Sequence, residues 1–129
     1  MKKLFIVTLL LFSLFIITSP IKIEAAGLKN SARIKVSAYK TAKDVRATFS
    51  NLKSAKKISY ELTYTRSGLR DGAGGTIIPK GKTVTKIVTL GTCSGKVCTF
   101  HKGVANIKLK VTTWYSPSLT VETKTYSIR

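Results

Sequence analysis

Residues 57–65, KISYELTYT, alternate without a break. Ile58, Tyr60, Leu62 and Tyr64 fall in one phase, and Ser59, Glu61, Thr63 and Thr65 in the other. Strand side chains point to opposite faces with a period of two, so this run describes a strand with one face in a core and one in water. The pattern recurs along the chain. ARIKVSAY sets Ile34, Val36 and Ala38 against Arg33, Lys35 and Ser37, and DVRATFS sets Val45, Ala47 and Phe49 against Arg46, Thr48 and Ser50. NIKLKVTTWY places Ile107, Leu109, Val111, Thr113 and Tyr115 inside, with Lys108, Lys110 and Thr112 outside. No segment after Gly27 has the period of a helix.

Three stretches are less regular. In LTVETKTYSIR the apolar phase changes between Leu119 and Val121 and the later Tyr126 and Ile128, which predicts a bulge near residues 123–125. In KTVTKIVTL, Lys86 shares the phase of Val84, Val88 and Leu90, so either a bulge shifts the register or Lys86 lies at the sheet rim. SGLRDGAGGTIIPKGK is turn-rich, with Asp71-Gly72 and Gly74-Gly75 as expected tight turns and residues 76–79 as a short edge strand ending at Pro79. Seven strands follow, over 32–39, 44–50, 57–66, 76–79, 83–90, 105–115 and 119–128. Many short strands with regular turns predict an all-β fold: a seven-stranded antiparallel two-sheet sandwich, fibronectin type III-like or immunoglobulin-like. A cysteine pin between the second and sixth strands is impossible, because the second has no cysteine.

The first residues, MKKLFIVTLLLFSLFIITSPIKIEAAG, have a positive start, an apolar run, a helix-stopping Pro20 and small residues at 25–27. That is the layout of a secretory signal peptide, with cleavage after Ala25 or Gly27. An uncleaved membrane anchor is the competing reading, but the apolar core of roughly 14 residues is short against the ~20 of a spanning helix. The expected division is a signal peptide over 1–26 and a single β-sandwich domain over 27–129, secreted or displayed at the cell surface. The chain carries a formal charge of +18. Removing 1–26 takes away Lys2, Lys3, Lys22 and Glu24 and leaves about +16.

GTCSGKVCTFH, residues 91–101, holds both cysteines and the single histidine. With Gly95-Lys96 as a two-residue type II′ turn, Cys93 and Cys98 fall opposite each other at a pair whose Cα atoms lie roughly 4.5 Å apart. That is within reach of a disulfide, and an exported chain meets a non-reducing space. A zinc site of Cys93, Cys98 and His101 lacks a fourth ligand. A redox centre wants Cys-x-x-Cys at a helix start. No metal or cofactor is expected.

Catalysis is poorly supported. His101 has no acid marked as its partner in the sequence, and a hydrolase base needs an orienting group. Asp44, Glu61, Asp71 and Glu122 are scattered and nominate no glycosidase pair. DGAGG could cradle a phosphate but lacks the Lys-Ser/Thr ending and helix of a P-loop, so a wide turn is expected. Trp114 and Tyr115 are either exposed binding aromatics or caps on the core.

The basic surface points outward. Arg33, Lys35, Arg46, Lys108 and Lys110 lie in the polar phase of strands, and Lys53, Lys56 and Lys57 cluster in one turn. These eight are the candidate polyanion-binding residues, set against the alternative that the lysines only solubilise the domain and protect its edges. Nothing resembles a DNA-recognition helix or an aromatic RNA-binding motif, so no sequence-specific nucleic acid is expected. The expected function is a secreted or cell-surface, non-catalytic binding module contacting anionic extracellular or envelope polymers. The alternatives are an envelope structural or assembly protein that binds a protein partner through loops or sheet edges, and a secreted cationic effector.

ISYELTYT, GAGGTI, the hairpin pattern GTCSGxVCxFH and NIKLKVT together resemble a group of small, uncharacterised secreted bacterial proteins of candidate-phylum type. The likeness covers about residues 57 to 128. It implies a fibronectin type III-like sandwich and export, and brings no activity. Fibronectin type III domains often carry tryptophan on their second strand, where this chain has Phe49.

Overall fold

The computed structural model describes residues 33–117 and 119–129. The expected signal segment 1–26 and the first residues of the expected domain lie outside them. Nine strands run along the described residues: β1 (Lys35–Lys40), β2 (Asp44–Ser50), β3 (Ala55–Arg66), β4 (Leu69–Ile77), β5 (Thr83–Thr89), β6 (Gly91–Ser94), β7 (Val97–Phe100), β8 (Ala105–Tyr115) and β9 (Val121–Ile128). They form a three-stranded sheet in the order β1-β2-β5, a four-stranded sheet in the order β4-β3-β8-β9, and the hairpin β6-β7. Every pairing is antiparallel.

The alternating residues build the core. Val45, Ala47 and Phe49 of β2 meet Ile58, Leu62 and Tyr64 of β3 and Ile107, Leu109 and Val111 of β8, all buried in one cluster. Phe49 and Tyr60 approach across the two sheets with ring centroids 6.2 Å apart. Burying each such side chain stabilises by about 1.5–3 kcal/mol, so these rows determine which face of each strand turns inward.

The expected turns at Asp71-Gly72 and Gly74-Gly75 do not exist. Those residues lie inside β4, opposite Tyr64-Thr63 and Glu61-Tyr60 of β3. The reversal falls earlier, at Ser67-Gly68, both with positive φ (47° and 77°) as a type I′ turn requires. Glycines fill β4 because it hugs its neighbour closely. A Cβ on Gly72 would stand 2.4 Å from the Leu62 carbonyl oxygen.

The expected bulge in the last strand is also absent, because β9 pairs with β8 in unbroken register from Trp114↔Val121 to Ile107↔Ile128. The inward phase of β9 is Glu122, Lys124, Tyr126 and Ile128, while Leu119 and Val121 are exposed. Parity changes there because a carboxylate, satisfied by polar partners, occupies an inward position. The bulges fall instead between β3 and β8, at residues 55–57 and 63–65. Lys86 sits on β5, an edge strand in unbroken register with β2, which settles it at the sheet rim.

Candidate functional site

One end of the sandwich gathers the starts of β1, β3, β5 and β9 and the ends of β2, β4 and β8. Two backbone ties and one side-chain tie shape it. Leu52 N–H donates to the Lys82 carbonyl at 3.3 Å, Ser116 N–H to the Ser54 carbonyl at 2.9 Å, and Asn51 Nδ2 to the Arg33 carbonyl at 2.6 Å. The first draws the 3-10 turn Leu52–Ser54 against the segment entering β5, so Lys35, Lys53 and Lys82 border one concavity. Beside it, the bulge at residues 55–57 lets Ala55 face the core while two successive lysines, Lys56 and Lys57, stand exposed. Bulges re-aim side chains in this way.

Four of the eight predicted residues, Lys35, Lys53, Lys56 and Lys57, therefore meet at this end. Lys82, which is not among the eight, joins them because the Leu52 N–H bond to its carbonyl brings its segment in. The other four do not. Arg46 lies on the outer face of β1-β2-β5, with Nε 3.3 Å from Asp44 Oδ1. Hydrogen bonding to Asp44, then its charge, raises the Arg46 pKa further. Lys108 and Lys110 project from the opposite outer face, with Lys110 opposite Glu61. Strand phase alone does not tell which of two sheets, and so which side of the molecule, a polar residue occupies.

Arg33 belongs to the seam between the sheets. Its Nη1 lies 3.1 Å from Glu122 Oε1, which Lys124 Nζ approaches to 3.0 Å. Tyr115 Oη donates to Glu122 Oε2 at 3.1 Å and accepts from Ile34 N–H at 3.2 Å. Burial pushes the Glu122 carboxyl up, but hydrogen bonds from Lys124 and Tyr115 and the charges of Lys124 and Arg33 outweigh it and hold the group below its usual range. Burial, with the Glu122 hydrogen bond and charge, pushes the Tyr115 phenol up; the Ile34 bond partly offsets this. The carboxylate nearest the lysine end is thus committed to other cations.

Tyr115 is a core residue, 1 % exposed. Trp114 faces outward and is half-buried, with Lys57 Nζ 4.9 Å from its ring centroid and Val121 as its strand partner. Lys56, Lys57, Ile78, Trp114 and Leu119 line a second concavity. The two aromatics named together in the sequence reading therefore part, one to each face.

The opposite end holds the cysteine hairpin. Cys93 and Cys98 form a disulfide with Cα atoms 4.0 Å apart, opposite each other, and Gly95 takes φ 61° at the turn. Neither sulfur is left as a thiolate for a metal. His101 follows, tied back by its N–H to the Leu90 carbonyl at 2.8 Å. The sequence marked no acidic partner for His101. The fold supplies one: Nδ1 lies 2.9 Å from Tyr64 Oη and 3.5 Å from Asp71 Oδ2, and the His101 side chain is 9 % exposed. The missing signal was topological, since Asp71 reaches His101 only once the glycine stretch is a strand. A backbone bond from Gly72 and a side-chain bond from Arg66 hold the Asp71 carboxyl below its usual range. Burial, then the Asp71 charge, pushes the Tyr64 phenol up, with Arg66 partly opposing. The group clamps the hairpin to the four-stranded sheet.

No protein-family model, curated protein or solved structure matches the chain.

Proposed function

We propose that this chain is a secreted or surface-displayed, non-catalytic binding module whose lysine-rich end contacts anionic extracellular or envelope polymers. The observation that carries the reading is the gathering of Lys35, Lys53, Lys82, Lys56 and Lys57 at one end, where the nearest carboxylate, Glu122, is already engaged by Arg33 and Lys124. Uncompensated like charges on one surface repel each other, and a polyanion relieves that repulsion while releasing its own counterions.

The subclass is fibronectin type III-like. Reading β1, β2, β3, β4, β5, β8 and β9 as A, B, C, C′, E, F and G gives sheets A-B-E and C′-C-F-G, which supports it, with β6-β7 inserted between E and F. Export is supported by the leader-like first residues and by a disulfide that suits a non-reducing space. The likeness to small secreted bacterial proteins agrees with both.

Retention on heparin and on DNA resin tests the reading. Folded protein should bind at low ionic strength and elute as salt rises. Failure of folded protein to bind either resin at low salt defeats it.

A second reading, an assembly component that accepts a partner strand, is favoured by β4. It is an edge strand of nine residues, Leu69–Ile77, without lysine or proline and with three glycines, so little guards its free side. β1, β5 and β9 each carry lysine within the strand. Capture of one protein at high salt, lost in T76K, at an exposed position of β4, would favour it.

A further inference from the structure

Charge does not explain the apolar residues of the lysine-rich end. Leu119 is 79 % exposed, Ile78 62 % and Val121 53 %. Leu119 and Ile78 share a concavity with Trp114, and Val121 is the strand partner of Trp114. Lys56 and Lys57 stand at the rim of the same patch, the latter over the indole. A hydrated polysaccharide or a nucleic-acid backbone gives an exposed leucine, isoleucine and valine nothing to bury against. An apolar cluster edged by lysines and carrying an indole matches the layering of a lipid interface: acyl chains for the aliphatic side chains, the headgroup boundary for tryptophan, and anionic headgroups for the ammonium groups.

We propose that this patch docks the domain on an anionic lipid surface, with Leu119, Ile78 and Val121 entering the acyl boundary and Lys56 and Lys57 held at the headgroups. The inference rests on the polyanion-binding reading and names lipid as the partner class.

Trp114 is the chain's single tryptophan, so its emission reports this patch alone, whatever residues 4–17 do in the same membrane. The full chain is mixed with phosphatidylglycerol/phosphatidylcholine vesicles, with phosphatidylcholine vesicles, and with each carrying brominated acyl chains. The expected result is a blue shift and bromine quenching of Trp114 on anionic vesicles, weaker on zwitterionic ones. I78S/L119S should abolish the quenching, because each lost aliphatic contact weakens partitioning about tenfold. K56Q/K57Q, which leaves the apolar patch intact, should lose the preference for anionic lipid. Protein that sediments with vesicles while Trp114 emission stays unchanged overturns the inference, as does a Trp114 response to heparin without one to vesicles. Heparin retention with a silent Trp114 leaves the polyanion reading standing and removes only this one. Absence of both removes both.

Discussion

Tyr115 Oη donates to Glu122 Oε2 at 3.1 Å and accepts from Ile34 N–H at 3.2 Å, so one buried phenol joins the segment entering β1 of the three-stranded sheet to the edge strand β9 of the other. Arg33 adds a 3.1 Å ion pair to the same carboxylate. This is where the two sheets are stitched beside the lysine-rich end.

Glu122→Gln should cost roughly 1.5–3 kcal/mol at neutral pH, the range for hydrogen bonds to a charged group. The wild-type carboxyl is held below its ordinary value of 4.5 in the folded protein, so its contribution is complete above that pH and fades as pH falls through the lowered folded value. The stability gap between wild type and variant, read from urea unfolding at a series of pH values, should therefore narrow below about pH 4.5. A constant gap down to pH 2 would place the stabilisation elsewhere.

Cys93→Ser/Cys98→Ser should lower stability by about 2 kcal/mol, since the bond closes only a short loop in the unfolded chain. The slowest amides of the β3-β8 pairing, which exchange through global unfolding, should lose protection by about that same amount, whereas those of residues 91–101 should lose more because the hairpin also opens locally. A loss in β3-β8 as large as that in residues 91–101 would mean that the hairpin does not open on its own.

Tyr64→Phe tests the clamp on that hairpin. Removing the hydroxyl that meets His101 Nδ1 at 2.9 Å should cost about 0.5–1.5 kcal/mol. Exchange in residues 91–101 should quicken, while β1 and β2 stay unchanged. Unaltered exchange in the hairpin would show that the disulfide and the His101 N–H tie are enough to hold it.

The strands most legible in the sequence were those whose apolar phase is uninterrupted. The second strand, 44–50, and the sixth, 105–115, were expected with the limits the structure gives them, and all five inward residues of the latter are buried. Cys93 and Cys98 were placed opposite each other by turn geometry alone. The reading failed where a local rule was overruled by a neighbouring strand. Glycine marks turns by conformational freedom, yet Gly72 and Gly74 serve β4 by leaving room for the β3 backbone. A polar residue marks the outward phase, yet Glu122 faces inward with three polar partners, Arg33, Tyr115 and Lys124. The site was half legible for a related reason. Charge clustering in sequence found Lys53, Lys56 and Lys57, which share a turn and a bulge. Lys82 and the Asp71–His101 approach depend on which segments the fold brings together.

Gly72→Ala follows from the first of those failures. Gly72 is not among the residues with positive φ, so backbone conformation alone would tolerate a methyl group there. Inside β4 the new Cβ meets the Leu62 carbonyl oxygen at 2.4 Å, and backbone must shift. A loss of about 1–3 kcal/mol is expected, as for other overpacking changes. Because Asp71 is the adjacent residue, the variant should also loosen the His101 clamp, visible as faster exchange in residues 91–101. A thermal midpoint equal to wild type would mean that β4 and β3 do not approach this closely at Gly72.

The two groups of lysines should separate cleanly in their salt dependence. Lys35, Lys53 and Lys82 border one concavity, so a duplex lying there meets them together. Lys108 and Lys110 project from the outer face of the four-stranded sheet, where Lys110 is opposite Glu61 and threonines and serine fill the neighbouring positions. Each phosphate contact contributes about 0.9 to the slope of log K against log salt on duplex DNA. K35Q/K53Q/K82Q should therefore lower that slope by about 2–3, whereas K108Q/K110Q should leave it within about half a unit. Titration by fluorescence anisotropy across a salt series reads both. Equal losses in the two variants would mean that net charge, and not the end of the sandwich, holds the polyanion, because a diffuse field is weakened by any lysine removed while a built surface is weakened only by its own.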